Sequence, residues 1–150
     1  MKPFFLIVIA LSLSSTSCAL WKKTAEQAQP LTETIWRLTE LSGSAVSVAT
    51  EHTTAGDAYI VFSGEEGRFS GFAGCNRFSG SYELSGANKI TLPQIIVTRM
   101  FCADMEVENQ LLPLLSFVTQ YRISGDSLVL LNAKNEVLVR FENKNHTPQK

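Results

Sequence analysis

Three cysteines, Cys18, Cys75 and Cys102, are the residues of this sequence best suited to covalent chemistry. A cysteine can join a disulfide, act as a nucleophile or bind a metal, and the redox state of its compartment decides among these roles. Zinc requires about four ligands, and the two histidines, His52 and His146, lie in a polar loop and in the C-terminal tail. The residues therefore predict no metal site.

Residues 1–17 have the layout of a secretory signal peptide. A basic residue, Lys2, precedes an apolar run from Phe4 to Ala10, and small polar residues follow it. The run is too short to cross a membrane, since a spanning helix needs about 20 apolar residues. We therefore expect the chain to be exported.

Ser15 to Cys18 resembles a bacterial lipobox, in which the cysteine is diacylated and becomes the mature N-terminus. The usual lipobox has Leu, Val or Ile where this chain has Ser15, and small residues at Ser15 and Ser17 also suit an ordinary signal peptidase. Ala19 follows the cysteine, where an aspartate would favour retention in the inner membrane. We expect Cys18 to anchor an outer membrane lipoprotein that faces the periplasm, with a soluble periplasmic protein as the alternative.

If Cys18 carries lipid, Cys75 and Cys102 remain as a pair. In an oxidising envelope the pair is most simply a structural disulfide, which would stabilise the fold by roughly 3–4 kcal/mol for a loop of this length. A redox-active pair is the more specific alternative, but the cysteines of such pairs usually lie close together in the sequence, near a helix start. Free buried thiols also remain open.

Residues 18–34 are expected to form the anchored N-terminus and a polar tether containing Pro30. The chain beyond the signal is long enough for one domain with a core, which we place at residues 35–142, followed by a polar tail at 143–150. The net charge is −1, so no basic field predicts nucleic acid binding. The expected contacts are the membrane, through the lipid, and an unidentified envelope protein or small apolar ligand.

Short alternating segments from Ile35 onward predict strands, separated by a polar loop over Ser42–Asp57 and by Gly-rich turns. The later predicted strands are Ala58–Phe62, Arg68–Phe72, Arg77–Leu84, Lys89–Leu92, Ser127–Asn132 and Glu136–Glu142. The tripeptide Phe-Ser-Gly begins at Phe62, Phe69 and Phe78, and its glycines are expected to relieve crowding or to allow bulges.

One amphipathic helix is predicted between the strands. Its apolar residues recur at helical spacing, at Leu111, Leu112, Leu115 and Val118. Asp104 is a good N-cap, and Glu106 and Glu108 suit the positive helix start. Pro113 predicts a kink or a second helical turn. The fold class is therefore α+β, with a curved antiparallel sheet covered by one helix.

The segments Phe69–Tyr82 and Thr98–Cys102, then Glu108 ahead of Leu111, and Gly125–Leu128, resemble the META domain of the HslJ heat-shock protein family. The resemblance extends from about Ile35 to Phe141. It implies an antiparallel, partly open barrel with one helix, and an envelope protein that is often a lipoprotein and is linked to the stress response. Members are similar in shape to small lipoproteins that pilot secretins, and no enzymatic activity defines the family.

The turn around Cys75 is expected to use positive φ angles at Gly74 and Asn76. A disulfide from this turn to Cys102 would hold the helix on the sheet. We expect the aromatic residues Phe69, Phe72, Phe78 and Tyr82 to divide between the two faces of the sheet, with exposed members contacting a partner. Phe72, Asn76 and Arg77 are the candidate binding surface, unless Asn76 only bonds its own backbone beside a solvated arginine.

These features predict a non-catalytic envelope module that binds or stabilises another envelope component. No cofactor is expected, and no catalytic residue is assigned, because Cys75 lacks a nearby base and adjacent Glu65 and Glu66 would point apart. One alternative is a carrier that holds a small apolar ligand or acyl chain inside the barrel; less favoured is a thiol redox protein that uses Cys75 and Cys102. A barrel interior filled by side chains would favour the binding module, because a carrier needs an internal cavity for its ligand.

Overall fold

Nine strands and one helix make up the part of the chain that the computed structural model describes, residues 30–46 and 58–143. The helix, α1, spans Glu106–Leu115 and lies between β6 and β7. The strands are β1 (Trp36–Leu41), β2 (Ser44–Ala45), β3 (Tyr59–Ser63), β4 (Arg68–Phe72), β5 (Arg77–Ser85), β6 (Lys89–Val97), β7 (Gln120–Ser124), β8 (Ser127–Leu131) and β9 (Val137–Glu142).

The predictions for the signal peptide, for Cys18 and for the tail from residue 144 onward fall outside the described residues, as do both histidines. Within the described ranges, no helix has the length and apolar character needed to cross a membrane.

All nine strands belong to one antiparallel sheet that curves until its ends meet. β1 pairs with β3, each later strand pairs with the next one along the chain, and β9 pairs back onto β1. The ring is weakest between β6 and β7, where Lys89 and Gln120 form the one cross-strand pair. The predicted α+β class, with a curved antiparallel sheet, a partly open barrel and one helix, is confirmed.

The inside of the barrel is filled with side chains. Trp36, Phe62 and Phe141 are completely buried there, together with the aliphatic residues that alternate along the strands. The Trp36 indole donates its Nε1–H to the backbone oxygen of Leu31 at 2.9 Å, so the one polar atom of the ring is satisfied. α1 adds Leu111 and Leu115 from one face.

The domain begins earlier than the predicted residue 35. Leu31 is buried in the core, Glu33 donates its backbone N–H to Phe62 O at 2.8 Å, and Thr34 Oγ1 bonds Pro30 O at 2.8 Å. Residues 30–34 therefore pack on the sheet, and a tether reaching to residue 34 is wrong. The predicted loop from Ser42 also contains the short strand β2, which pairs with β1.

Two predicted element boundaries also change. β6 continues through Pro93 to Val97 rather than ending at Leu92. α1 begins at Glu106 and its N-cap is Met105, one residue later than the predicted Asp104. The Asp104 side chain still accepts the N–H of Glu106, the first helical residue, at 3.0 Å. α1 also runs through Pro113 to Leu115, so no second helical turn starts there.

The Phe-Ser-Gly tripeptides on β4 and β5 form two reciprocal pairs between an aromatic ring and a glycine. Phe69 lies opposite Gly80, and Gly71 lies opposite Phe78. A Cβ at Gly80 would come within 2.7 Å of the Phe69 ring, and a Cβ at Gly71 would overlap the Phe78 ring. Each glycine therefore leaves room for the ring on the neighbouring strand, which confirms that these glycines relieve crowding.

The expectation that the four aromatic residues divide between the two faces of the sheet is confirmed, but the phenylalanines of the tripeptides themselves all face the core and offer no exposed ring to a partner. Phe69, Phe78 and Tyr82 point inward, and Phe72 is half-buried on the outer face. The Tyr82 hydroxyl donates to Ser63 O at 2.7 Å. Burial of the ring, with smaller contributions from Glu33 and Tyr121, raises the pKa of Tyr82 above its ordinary value of 10.0.

We predict that Gly71→Ala and Gly80→Ala each destabilise the fold by about 2 kcal/mol or more, because the added Cβ displaces a buried ring or backbone. Gly64→Ala is the matched control from the third tripeptide, since its Cβ would meet nothing closer than 3.6 Å. Urea unfolding of the three variants measures the difference. Equal stabilities for all three would contradict the role of the ring and glycine pairs.

Candidate functional site

A disulfide between Cys75 and Cys102 joins the turn after β4 to the segment before α1. The two Cα atoms are 5.9 Å apart. Gly74 has a φ of 108°, a value that favours glycine, and Ala73 closes the turn by donating its N–H to Asn76 O at 2.9 Å. The disulfide therefore fixes the start of the helix segment to the sheet.

Asn76 is buried beneath this turn and uses its entire side-chain amide. Nδ2 donates to Met100 O at 3.0 Å and to Glu108 Oε1 at 2.7 Å. Oδ1 accepts from Thr98 Oγ1 at 2.8 Å and from Met100 N at 2.6 Å. These four bonds satisfy the full capacity of the amide. We call Asn76, Thr98, Met100 and Glu108 the Asn76 cluster.

Both predictions for Asn76 are wrong. Its side chain is only 2% exposed, so it cannot form part of a binding surface, and its bonds go to distant segments rather than to its own turn. Its backbone is not left-handed either, since in this turn Gly74 alone has positive φ.

Glu108 supplies a buried carboxylate from the first turn of α1. Oε2 accepts the Asn76 backbone N–H at 2.6 Å, and Oε1 accepts the Asn76 side-chain amide. Neither ion pair found among the described residues involves Glu108, so these two bonds and the positive helix start are what compensate its burial. From the sequence, Glu108 is expected only to favour the helix start and to match the family pattern; its position on the same helix face as Leu111 and Leu115 is the signal that indicates its burial.

The segment from Thr98 to Cys102 is held at both ends and exposed in the middle. The Asn76 amide bonds both the N–H and the carbonyl of Met100, and Cys102 is fixed by the disulfide. Between these points the Met100 side chain is 64% exposed and Phe101 is 93% exposed. We call these two side chains the Met100–Phe101 tip; their exposure is not predicted from the sequence, in which they form part of the Thr98–Cys102 motif.

Two of the three predicted binding residues do reach the surface beside this segment. Phe72 and Arg77 are cross-strand neighbours on the outer face of the sheet, and Arg77 Nη1 donates to Tyr59 Oη at 3.4 Å. A groove of about 310 Å³ lies next to them and is lined by Tyr59, Arg77, Ile96 and Thr98, together with Phe78, Val97 and three small residues. The exposed surface of this end therefore combines two cations, Arg77 and Arg99, with apolar side chains.

The chemistry available to this site is limited by its bonding. Both sulfurs are in the disulfide, and the Glu108 carboxylate is turned inward onto Asn76. Within residues 30–46 and 58–143, no group of three or more His, Cys, Asp or Glu side chains is placed to hold a metal ion. The arrangement fixes a loop and presents two apolar side chains to solvent.

We predict that Glu108→Gln destabilises the fold by about 2 kcal/mol, because an amide has one acceptor oxygen and its NH₂ group would face a second donor from Asn76. Glu106→Gln is the matched control: it sits exposed on the same turn and should change stability by roughly 0.5 kcal/mol or less. Denaturant unfolding compares them. Equal effects of the two changes would contradict the structural role of the cluster.

Solved structures of similar fold support the architecture. A protein from Burkholderia xenovorans, solved by NMR, is 24% identical with a TM-score of 0.61, covering 77% of this chain and 85% of its own. A second NMR structure is 26% identical with a TM-score of 0.53, covering 73% and 88%. A DUF4847 family protein from Bacteroides vulgatus is 13% identical with a TM-score of 0.55, covering 78% and 96%.

None of the curated proteins matches this chain. The family match is made over residues 29–145, which include every strand and the helix as well as residues 30–34 that pack on the sheet. It also includes the cysteine pair and the whole Asn76 cluster. This chain belongs to the META domain family.

Proposed function

We propose that this protein is a non-catalytic binding module of the bacterial cell envelope that contacts another envelope component through the Met100–Phe101 tip. The observation that carries the proposal is the 93% exposure of Phe101 on a segment fixed at both ends. Burying a phenylalanine side chain contributes about 1.5–3 kcal/mol, so this residue offers binding energy that the isolated fold does not use. Aromatic anchors of this kind often dominate interfaces.

The rigidity of the segment adds to this argument. Ordering a loop on binding costs free energy, and a loop that is already ordered avoids that cost. Asn76 and the disulfide fix the residues on both sides of Phe101 before any partner arrives. The energy of burying the tip is then available for affinity. The neighbouring groove and Arg77 offer a polar contact beside it.

An envelope location is supported by the signal at residues 1–17, by Cys18 and by the disulfide, which persists in oxidising compartments. We propose an outer membrane lipoprotein facing the periplasm. The chain between Cys18 and residue 30 would act as the tether, with a root-mean-square reach on the order of 20 Å if flexible. That reach suits a partner in or near the same membrane.

The interior of the barrel favours this module over a carrier of apolar ligands. Trp36, Phe62 and Phe141 fill the space in which a ligand would lie. The disulfide likewise favours a structural role over thiol exchange, because Cys75 is buried and the two cysteines are 27 residues apart, whereas redox-active pairs are usually close in sequence.

We predict that a photocrosslinking amino acid in place of Phe101 gives a discrete adduct in intact cells, detected by immunoblot. The same amino acid in place of Phe117 is the matched control, since Phe117 is 64% exposed beyond the other end of α1. The Phe101 adduct should weaken several-fold when Asn76→Ala releases the segment. Identical adduct patterns at both positions would show that the tip is not the binding surface.

For the anchor, we predict that cells fed labelled palmitate yield labelled protein and that Cys18→Ser removes the label, because diacylation requires the Cys18 thiol. The double variant Cys75→Ala/Cys102→Ala is the control and should retain the label. Unlabelled wild-type protein recovered in the soluble periplasmic fraction would exclude the lipid anchor and leave the soluble alternative.

A further inference from the structure

The last residues of β6 form a free sheet edge. β6 pairs with β5 along both of its halves, but on its other side it is bonded only at its start, through the Lys89–Gln120 pair and the Ile90 N–H that donates to Thr119 O at 3.1 Å. Beyond Ile90, the neighbouring chain leaves the sheet and becomes the end of α1 and its following turn. Among the described residues, Gln94–Val97 therefore have a strand neighbour on one side only.

The direction of the backbone groups at this edge follows from one hydrogen bond. Thr98 donates its N–H to Arg77 O at 3.0 Å, so Thr98 faces β5. Backbone groups alternate along an antiparallel strand, so Ile96 also faces β5, whereas Ile95 and Val97 direct their N–H and C=O groups away from it. No described residue bonds these outward groups.

The edge is poorly protected against strand pairing. Natural proteins block such edges with charges, prolines or bulges. Here Pro93 and a register shift protect the beginning of the segment, but Gln94 to Thr98 contains no charge and three β-branched apolar residues. On the outer face Ile96 is 58% exposed.

We propose that two copies of this chain pair through these edges, antiparallel about a two-fold axis at Ile96, and form a homodimer with a continuous sheet. In this register Ile95 of one copy lies opposite Val97 of the second copy. Ile95 and Val97 of the two copies together direct four N–H and four C=O groups outward. In this register each of these N–H groups donates to a C=O group of the other copy. The edge is thus complementary to itself, as a two-fold interface requires.

Pro93 distinguishes this register from its nearest competitor. If the axis passed through Ile95 instead, Val97 would lie opposite Pro93 of the second copy. Proline has no N–H, so the Val97 carbonyl would have no donor. The axis at Ile96 moves Pro93 opposite Arg99, which lies outside β6, so the carbonyls of Ile95 and Val97 both keep donors. It also places the two exposed Ile96 side chains directly opposite each other, where cross-strand pairs contact closely.

The residues next to the β6 edge are compatible with pairing to a second copy of this chain. The side chains of Ile95 and Val97 are half-buried at the opening of the barrel, where a neighbouring strand would cover them further. Arg99 would lie near Pro93 of the second copy, not near another cation. The dimer would also carry two Met100–Phe101 tips just beyond the shared edge, although the pairing does not depend on the function proposed for them.

The test uses the chain from residue 18 with Cys18→Ser, which retains every described residue. Sedimentation equilibrium should show a concentration-dependent dimer. Ile96→Lys places two like charges at the axis and should raise the dimer dissociation constant at least tenfold. Leu84→Lys is the matched control, because Leu84 is 49% exposed on β5 away from this edge, and it should leave the constant unchanged. Unaltered melting temperatures would show that both variants fold.

Two further measurements locate the interface. Under mild oxidation Ile96→Cys should form a covalent dimer, and Leu84→Cys should not. The amides of Ile95 and Val97 should exchange more slowly as protein concentration rises. A protein that stays monomeric at millimolar concentration overturns the proposal. So does a dimer that Ile96→Lys leaves intact, or a monomer in which these amides are protected at every concentration, since a segment of its own chain would then cover the edge.

Discussion

The buried hydrogen bonds of Asn76 connect three parts of the chain that are distant in sequence: the turn after β4, the segment after β6 and the first turn of α1. The disulfide joins two of the same parts covalently. An unsatisfied buried amide or carboxylate costs several kcal/mol, so the cluster is stable only when all of its members are in place. The Asn76 hydrogen bonds and the disulfide therefore determine both the position of α1 and the conformation of the exposed segment before it.

The sheet supplies a different constraint, which is the space inside the barrel. Closing β1 onto β9 brings large side chains toward a common centre. The reciprocal contacts of Phe69 with Gly80 and of Phe78 with Gly71 allow two rings to lie flat across neighbouring strands. The same curvature separates β6 from β7 after one pair, and α1 supplies core residues on the chain between those strands. A filled barrel and an incompletely paired strand are thus two results of one geometry.

Local pattern predicted most of this fold, because alternation and helical spacing are properties of neighbouring residues. β3, β4, β8 and β9 follow alternating sequence, and Leu111 with Leu115 predicted the buried face of α1. Pro93 ended the predicted β6 too early, because proline is tolerated where a strand edge is unpaired. The burial of Asn76 was not predictable from its own turn, since Thr98, Met100 and Glu108 approach it only in the folded chain.

Several of the buried polar bonds converge on the exposed segment between β6 and α1. Side-chain hydrogen bonds to Met100 hold one backbone residue on both its N–H and its carbonyl, next to a phenylalanine that is 93% exposed. The barrel interior is filled by apolar side chains, and α1, which these bonds position, contributes Leu111 and Leu115 to it. The disulfide and the Glu108 carboxylate therefore stabilise the fold and also fix a segment whose Met100 and Phe101 side chains stay in solvent. The arrangement is understandable if the conformation of that segment is itself what a partner recognises, because a fixed apolar tip binds without a further loss of backbone entropy.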